Sequence, residues 1–367
     1  MVYRYRVLDE TVFTEKMSNQ YLDTPKLSIC IATYNRGKHI GETLDNILKQ
    51  LTSEVELIIV DGASPDNTEE VMEKYLLTYP EIRYFREQVN SGVDRDFDKA
   101  VGYARGEYCW LMTDDDLLHP SAISKVLSAL KGGSELIIVN SEVRSKDLSI
   151  LIQKQILAQG SDGEYGYSER GKFFILAAKY LSFIGCVIIK RLSWLSRDRA
   201  SYYGTLFVHV GVIFQSPPIE RIRIIEEPLI SIRYSNAMWT SRSFDIWMIK
   251  WPNLIWSFSD YSDTAKQKIC SRKPWRRIKL QLKMRALGYN TENEYHKVWC
   301  NESRGLRRLI AYLISISPPS LVNILMVIVY RLSAKDTSRV MIDLSNSPHA
   351  GLVSRFLLKI FKPTLFK

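Results

Sequence analysis

The strongest constraint on the fold is a regular alternation of short apolar runs and helix-like segments between residues 26 and 139. The first two apolar runs, residues 27–31 and 55–60, have the length of buried strands. Residues 37–51 between them place apolar side chains at helical spacing. Strands joined through helices pair in parallel, so the pattern predicts an α/β fold with a mostly parallel central sheet flanked by helices. Further strands are predicted at residues 82–85, 108–112 and 136–139, and further helices at 68–79 and 94–104.

Polar residues follow the first two predicted strands. In open α/β sheets ligands bind beyond the carboxyl ends of the strands, so these positions are candidates for a binding site. After the first strand, Tyr34 could stack on a base while Thr33 or Asn35 forms a hydrogen bond. After the second, Asp61 could accept hydrogen bonds from ribose hydroxyls, and Ser64 fixes the turn. Ordinary turn and cap chemistry explains the residues at 66–68, Asp-Asn-Thr.

The strongest local signal is an acidic cluster, Asp114-Asp115-Asp116, directly after the aromatic strand at 108–112. Three adjacent carboxylates repel one another, and a hard cation such as Mg²⁺ or Mn²⁺ would relieve that repulsion. A cation held there could neutralise a diphosphate and stabilise it as a leaving group. The alternative is a solvated acidic turn that caps a helix near Pro120.

Charge and cysteine content restrict the chain less. A formal net charge of +10 favours an anionic partner, but nucleic acid, anionic lipid and phosphorylated small molecules satisfy it equally. The five cysteines are scattered and show no CxxC spacing, which indicates neither a disulfide framework nor a zinc site. The N-terminal residues lack the apolar core of a secretory signal, so a cytoplasmic location is expected.

Beyond Tyr234 the composition changes. Four tryptophans lie between residues 239 and 256, a basic run occupies 272–277, and apolar helical segments follow. Residues 309–330 carry no charge over about the thickness of a bilayer core. Because Pro318 and Pro319 interrupt this stretch, it predicts two short helices around a turn rather than one membrane-spanning helix.

Three segments together carry a family resemblance: residues 28–36, residues 59–68, and residues 104–108 leading into the aspartates. In this order and spacing the chain resembles the donor-binding domain of family 2 glycosyltransferases with the GT-A fold. Residues 92–100, taken with the strand at 108–112, look like the abequosyltransferase-type enzymes of bacterial O-antigen assembly.

The resemblance implies a nucleotide-diphospho-sugar donor, with a deoxysugar as one candidate, a divalent metal (Mn²⁺ or Mg²⁺), and an oligosaccharide acceptor on a polyprenyl diphosphate. No nucleic-acid partner is expected. The resemblance, together with the change in composition, predicts three parts of the chain: an N-terminal extension (1–25), a GT-A catalytic domain (26–235) and a basic, tryptophan-rich helical C-terminal lobe (236–367). The catalytic domain comprises a donor-binding half (26–142) and an acceptor-side half (143–235). The lobe either attaches to an anionic membrane surface, at the inner face of the cytoplasmic membrane, or packs against the catalytic domain or a second subunit.

The resemblance also assigns site residues. The donor-binding set is Thr33, Tyr34, Asn35, Arg36, Asp61, Ser64, Asp94, Arg95, Asp114, Arg233 and Trp239. The usual Asp-x-Asp-Asp pattern of the family has Thr113 in its first place here, so the metal is assigned to Asp115 first and Asp116 second. Asp114 is assigned to the ribose or sugar of the donor.

The catalytic base departs from the family pattern. Inverting members place an Asp at the start of a later helix, and His209 stands at that position in this chain. A neutral imidazole could take the proton of the acceptor hydroxyl, although a histidine between two valines is also a common core residue. Inversion is expected, with retention left open. For the loop after Arg233, phosphate pairing by Arg233 and sugar stacking by Trp239 compete with a purely structural role.

Two other functions remain as alternatives. A nucleotidyltransferase would also bind a nucleotide through acidic metal ligands, but it needs a glycine-rich phosphate loop, and the first strand is followed only by Arg36-Gly37-Lys38. A non-catalytic membrane scaffold would have little reason to keep three repelling carboxylates together.

Overall fold

The computed structural model describes residues 24–236, 242–300, 302, 305–333 and 337–361. Its strands form a single sheet and are β1 (Leu27–Thr33), β2 (Val55–Asp61), β3 (Arg83–Arg86), β4 (Tyr108–Met112), β5 (Leu117–Leu118), β6 (Leu136–Arg144), β7 (Leu151–Gln153), β8 (Gly163–Tyr165), β9 (Val187–Lys190) and β10 (Ile222–Arg233). The strand order is β3-β2-β1-β4-β9-β6-β10-β5, with β7 beside β6 and β8 beside β10.

Seven helices accompany these strands in the described part of the chain: α1 (Ile40–Leu48), α2 (Thr68–Thr78), α3 (Val93–Tyr103), α4 (Ala122–Leu130), α5 (Arg170–Ala177), α6 (Arg191–Leu195) and α7 (Val208–Phe214). Short 3₁₀ turns occur at Tyr167–Glu169, Tyr180–Ser182, Ile184–Cys186 and Ala200–Tyr202. Every residue of β1, β2 and β4 is buried, as expected for strands covered on both faces.

The first half of the sheet is parallel, as the alternating pattern predicted. β1 pairs in parallel with both β2 and β4, and β2 pairs in parallel with β3. The register sets Thr33 opposite Asp61 and Ile31 opposite Met112. The carboxyl ends of three neighbouring strands therefore meet at one edge of the sheet, where the acidic cluster begins.

The second half is mixed, which corrects the expectation of a mostly parallel sheet. β9 lies antiparallel between β4 and β6, and β5 lies antiparallel to β10, while β6 and β10 are parallel. Their register shifts on both sides of Pro228, which cannot donate a ladder hydrogen bond. Strand partners far apart in sequence leave no local signal, so the alternating pattern could not show this reversal.

From residue 242 on, the described chain is helical. A π-helical turn at Asp245–Lys250 leads into α8 (Trp251–Ser257), α9 (Asp263–Ile269), α10 (Ile278–Ala286), α11 (Glu292–Trp299), α12 (Leu306–Ile316), α13 (Pro319–Arg331), α14 (Ser338–Asn346) and α15 (Leu352–Phe361), with a 3₁₀ turn at Pro274–Arg276. Trp251 belongs to the main core, and Trp247 and Trp256 pack against it. These three tryptophans therefore pack against the sheet region, as one of the two sequence-based alternatives for the lobe required. The main core also includes Ile269, so it extends beyond residue 235, where the catalytic domain was predicted to end.

The uncharged stretch forms two helices, as predicted. Among the described residues, no single helix is long and apolar enough to cross a membrane. Only α12 and α13 taken together pass that test, and they are bent by 110° at the break between them.

Candidate functional site

The acidic cluster follows β4 directly and is buried. Asp114 and Asp115 are each 8% exposed, and Asp116 is 3% exposed. Burial, followed by the charge of Asp115, raises the pKa of Asp114 to about 7 and that of Asp116 to about 8. Packing three carboxylates in a buried turn is electrostatically costly, so positive charge is required nearby.

Arg36 supplies that charge. Asn35 adopts a left-handed conformation with φ of 57°, which turns the chain after β1. The Arg36 backbone N–H donates to Thr68 Oγ1 at 3.0 Å and anchors the loop to the start of α2. The Arg36 guanidinium lies 3.3 Å from Asp114 Oδ1 through Nε and 3.3 Å from Asp115 Oδ2 through Nη2. The structure therefore brings Arg36, Asp114 and Asp115 together, as the sequence assignment required.

Asp116 is tied to the end of β10. Its Oδ1 accepts the backbone N–H of Arg233 at 2.7 Å, and its Oδ2 accepts the Thr113 hydroxyl at 2.6 Å. Both oxygens of Asp116 thus hold the turn in place. Asp115 is the better placed metal ligand of the two that the sequence assigned.

The Arg233 side chain is also occupied by protein contacts. Its guanidinium donates to the Asp115 carbonyl at 2.9 Å, to the Lys146 carbonyl at 2.8 Å and to Glu42 Oε2 at 2.6 Å. In this arrangement Arg233 positions the acidic cluster, and a contact with a donor phosphate would require one of these bonds to break. Trp239, assigned to the same loop, lies outside the described residues.

Asn236 is a site residue that the sequence analysis missed. Its Nδ2 donates to Asp115 Oδ2 at 2.7 Å, and its carbonyl accepts from Arg36 Nη1 at 3.1 Å. The available signal was its position three residues after the end of β10, in a loop already considered for Arg233 and Trp239.

The ends of β1 and β2 are linked by hydrogen bonds. Ser64 Oγ accepts the Asn35 backbone N–H at 2.9 Å, and Asp61 Oδ1 accepts the Ser64 backbone N–H at 2.8 Å. Asp61 Oδ2 accepts the Tyr84 hydroxyl at 2.7 Å and lies 3.4 Å from Arg86 Nη1. Tyr84 and Arg86 come from β3 and were not predicted, because their contact with Asp61 depends on strand pairing. Thr33 is buried at this edge, Tyr34 is half-buried and Asn35 is exposed.

Asp94, assigned to the donor, has a different set of partners. Its carboxylate accepts the backbone N–H groups of Gly204 at 2.8 Å, Leu206 at 2.8 Å and Val208 at 3.0 Å, the last at the start of α7. Burial raises the pKa of Asp94. The neighbouring Arg95 guanidinium lies 4.9 Å from the centre of the Tyr203 ring. Both residues thus hold the loop before α7, and their donor contacts stay a prediction.

His209 lies in the core. It is 1% exposed, its Nε2 donates to the Leu181 carbonyl at 2.6 Å, and its Nδ1 has no hydrogen-bond partner among the described residues. Burial lowers the pKa of His209 to about 4. An acceptor hydroxyl cannot reach Nδ1 in this conformation, so the burial of His209 argues against its predicted role as base. The sequence position could not reveal this, because burial depends on tertiary contacts such as the hydrogen bond to the carbonyl of Leu181, which lies 28 residues away.

The acidic cluster fits a divalent cation only in part on its own. The described residues contain no group of three or more His, Cys, Asp or Glu side chains arranged to hold an ion. Mg²⁺ is commonly bound by one or two carboxylates together with substrate phosphates, and the hard oxygens of Asp114 and Asp115 meet that requirement. Burial raises the pKa of Asp114, and the positive charge of such a cation would lower it again.

Comparisons with known proteins relate the sequence of the chain to that of sugar transferases. The model of the glycosyl transferase family 2 matches residues 28–192. The abequosyltransferase RfbV of Salmonella typhimurium is 27% identical over 304 residues, covering 76% of this chain and 90% of that enzyme. The glycosyltransferase GlyG of Streptococcus pneumoniae is 24% identical over 148 residues, covering 40% of this chain and 45% of that protein.

The fold is similar to that of TarS from S. aureus. The crystal structure of TarS residues 1–349 has a TM-score of 0.52 at 15% identity and covers 93% of this chain and 90% of that chain. The same fragment has been solved in complex with UDP-GlcNAc, with a TM-score of 0.50, 14% identity, and coverage of 87% of this chain and 91% of that one. Residues 28–192, a little under half of the chain, thus match the glycosyl transferase family 2 model, and the fold is GT-A-like and similar to that of TarS.

Proposed function

We propose that the chain transfers a sugar from a nucleoside-diphosphate donor to a hydroxyl of a lipid-linked oligosaccharide in bacterial surface-polysaccharide synthesis. The observation that carries this proposal is the buried acidic cluster at the end of β4, bridged by Arg36. The abequosyltransferase relative favours a deoxyhexose donor and O-antigen assembly. The match of residues 28–192 to a transferase family favours this proposal over the nucleotidyltransferase and scaffold alternatives.

The donor would lie over the carboxyl ends of β1, β2 and β4. The base and ribose would contact Tyr34 and the Asp61–Arg86 pair, and the diphosphate would lie towards Asp115. The TarS fragment binds UDP and UDP-GlcNAc, which supports a nucleotide at this edge of a related sheet. Donor-site ligands at the carboxyl ends of strands are the general rule for open α/β sheets.

Metal dependence is part of the proposal. Asp115, with Asp114 beside it, would hold Mn²⁺ or Mg²⁺, which when bound neutralises the charge that develops on the departing diphosphate. Arg36 occupies the same carboxylates in the structure, so donor binding would shift its guanidinium towards the phosphate oxygens. Arg233 and Asn236 would keep Asp115 in position during this exchange.

The stereochemical proposal is inversion, by attack of the acceptor hydroxyl on the face of the anomeric carbon opposite the diphosphate. The anomeric configuration of the product, read from its proton NMR coupling constant, tests this directly. A product with the configuration of the donor would establish retention instead.

A lipid-linked acceptor requires the enzyme to work next to a membrane. We place the enzyme in the cytoplasm, at the inner face of the cytoplasmic membrane. Support comes from the charge distribution: residues 236–367 carry 22 Lys and Arg against 8 Asp and Glu, whereas the first 235 residues carry 28 against 32. Anionic lipids attract such a basic segment.

A thermal-shift series tests the donor site. Purified protein is compared with UDP, CDP, GDP and dTDP, each with and without Mn²⁺, because a ligand that binds the folded state raises the melting temperature. We expect one nucleotide to stabilise the protein only with metal, and Asp115→Asn to abolish that shift. Asp263→Asn, on an 80% exposed side chain of α9, is the matched control and should keep it. No shift with any nucleotide would contradict the proposal.

A further inference from the structure

Helix α12 exposes a continuous apolar face. Leu306 is 73% exposed, Leu309 54%, Leu313 53% and Ile316 48%. Their spacing of three and four residues places them on one side of the helix. Ala311 and Ile314, on the opposite side, are buried. The helix is therefore amphipathic with its leucines directed outward, the reverse of a helix whose leucines build the core.

Helices α13 and α15 also expose apolar side chains. On these helices the exposed apolar side chains are Leu321, Leu325, Ile328, Val329, Leu332, Leu352, Val353 and Phe356, with Leu352 at 88% and Leu332 at 82%. The two helices are neighbours on this side, because Ile328 of α13 and Leu332, directly after its last residue, line a cavity of about 230 Å³ together with Leu357 of α15. We call the exposed apolar side chains of α12, α13 and α15 the docking face.

The docking face is unusual for this molecule. It holds 12 of the 21 large hydrophobic side chains that are exposed among the described residues, although α12, α13 and α15 are a small part of the chain. Exposed apolar side chains concentrated on a few neighbouring elements mark an interaction site in soluble proteins. Among the described residues of this lobe the tryptophans do not contribute: Trp251 and Trp299 are buried, Trp247 and Trp256 pack against the main core, and Trp275 packs against a smaller apolar cluster.

Charge indicates the occupant. The lobe that carries the docking face has a net charge of +14, whereas residues 1–235 carry −4. Arg307, next to Leu306, and Arg355, next to Phe356, are both exposed. Arginines that flank an apolar surface suit a bilayer with anionic headgroups, in which the apolar side chains enter the acyl region and the guanidinium groups stay among phosphates.

We propose that the docking face inserts into the headgroup region of one leaflet of an anionic membrane without crossing it. The bend of 110° between α12 and α13 suits two helices that lie along the interface. This proposal rests on the proposed function only in supplying the reason for membrane contact, a lipid-linked acceptor. It goes further by naming the surface, its apolar anchors and its orientation.

Vesicle flotation with the full chain tests the docking face. Wild-type protein should float with vesicles of phosphatidylethanolamine and phosphatidylglycerol, and much less with pure phosphatidylcholine. Leu309→Glu and Leu313→Glu should each weaken binding about tenfold or more, because each replaces apolar surface buried in the membrane with a charge. Leu77→Glu and Leu192→Glu alter side chains that are 87% and 76% exposed outside the docking face, and should bind as wild type does.

Two outcomes would overturn the proposal. Equal flotation of the Leu309→Glu and Leu77→Glu variants would show that the docking face does not meet the bilayer. The second outcome is wild-type protein that binds neither vesicle type but sediments as a dimer, while Leu309→Glu sediments as a monomer. The docking face would then bind a second copy of the chain. The nucleotide thermal shift is measured on the same variants without lipid. If no nucleotide raises the melting temperature of the wild-type protein, the proposed function is contradicted. The flotation result would still test the docking face independently.

Discussion

Two groups of three carboxylates, with five of the six side chains buried, have different surroundings. In the acidic cluster, Asp114 and Asp115 share Arg36, and burial together with the charge of Asp115 raises the pKa of Asp114 and Asp116. The second group lies on α3 at Asp94, Asp96 and Asp98, and each member has its own partners. Asp94 accepts three backbone N–H groups, Asp96 accepts the Ser91 hydroxyl, and Asp98 accepts the Trp194 indole N–H and the Tyr203 hydroxyl. The number of hydrogen-bond donors around each carboxylate therefore distinguishes the two groups. The acidic cluster can still accept a ligand, whereas the carboxylates on α3 are engaged in holding the fold.

The sharpest test of this difference is Asp115→Asn. We expect the release of nucleoside diphosphate from the donor sugar to fall about 1000-fold, since a metal at a leaving group contributes several kcal/mol to the transition state. The free energy of unfolding in urea should change by less than about 1 kcal/mol, because the substitution also removes repulsion from its neighbours. Retained release at the wild-type rate would show that the cluster is not the metal site.

Asp94→Asn should show the reverse pattern. Loss of the carboxylate that accepts three backbone N–H groups should cost about 4 kcal/mol of unfolding free energy, since a buried charge network is broken. Nucleotide stabilisation of the folded fraction should persist. The exposed Glu73→Gln on α2 is the control for a simple change of charge. A stable Asp94→Asn variant that has lost nucleotide binding would place Asp94 in the donor site after all.

His209 predicts a pH dependence of stability. Its pKa falls from 6.5 to about 4 on folding, so between these values the unfolded state binds a proton that the folded state does not. The stabilisation is complete above pH 6.5 and is lost as the pH falls to about 4, by about 3 kcal/mol in total. Urea unfolding across this range should show a flatter profile for His209→Gln than for wild type, whereas the exposed His296→Gln should not alter it.

The same His209→Gln variant decides its catalytic role. If His209 is a core residue, donor turnover at pH 7.5 should stay within a few-fold of wild type at equal folded concentration. A drop of about 100-fold or more, with unchanged stability, is the size expected for loss of a general base and would restore the role predicted from the sequence.

The smallest effect is expected at Tyr234, which lies beyond the acidic cluster on the same loop. Its hydroxyl donates to Asp343 Oδ1 of α14 at 2.8 Å, and Asp343 also lies 3.3 Å from Lys283 Nζ. Tyr234→Phe should therefore cost only about 1 kcal/mol, since Asp343 keeps a charged partner. Tyr167→Phe, on a 53% exposed ring, is the matched control. No measurable cost in urea unfolding would show that this contact is not formed in solution.

The parts of the fold that could be predicted are those with local signals. The β4 bounds were predicted to the residue, and β1 to β3 to within about two residues, because buried strands and amphipathic helices repeat at fixed periods. The ion pairs of Arg36 with Asp114 and Asp115 were not predicted as such, although all three residues were assigned to the site from the strand ends that they follow. The partners of Asp94 lie 110 to 114 residues away, and those of Asp116 include a backbone group at Arg233, so no local pattern could reveal them.

The loop at residues 233–236 restricts how this enzyme can be recombined with its relatives. Arg233 and Asn236 bind the acidic cluster, while Tyr234 and Ser235 bind Asp343 and Asn346 of α14. A chimera that exchanges only the C-terminal helices would combine residues 233–236 of one protein with α14 of another. The hydrogen bonds between this loop and α14 would then no longer be matched. Grafts that carry residues 233–236 together with α14 should remain active, so a crossover point that keeps these contacts together lies before β10 rather than after it.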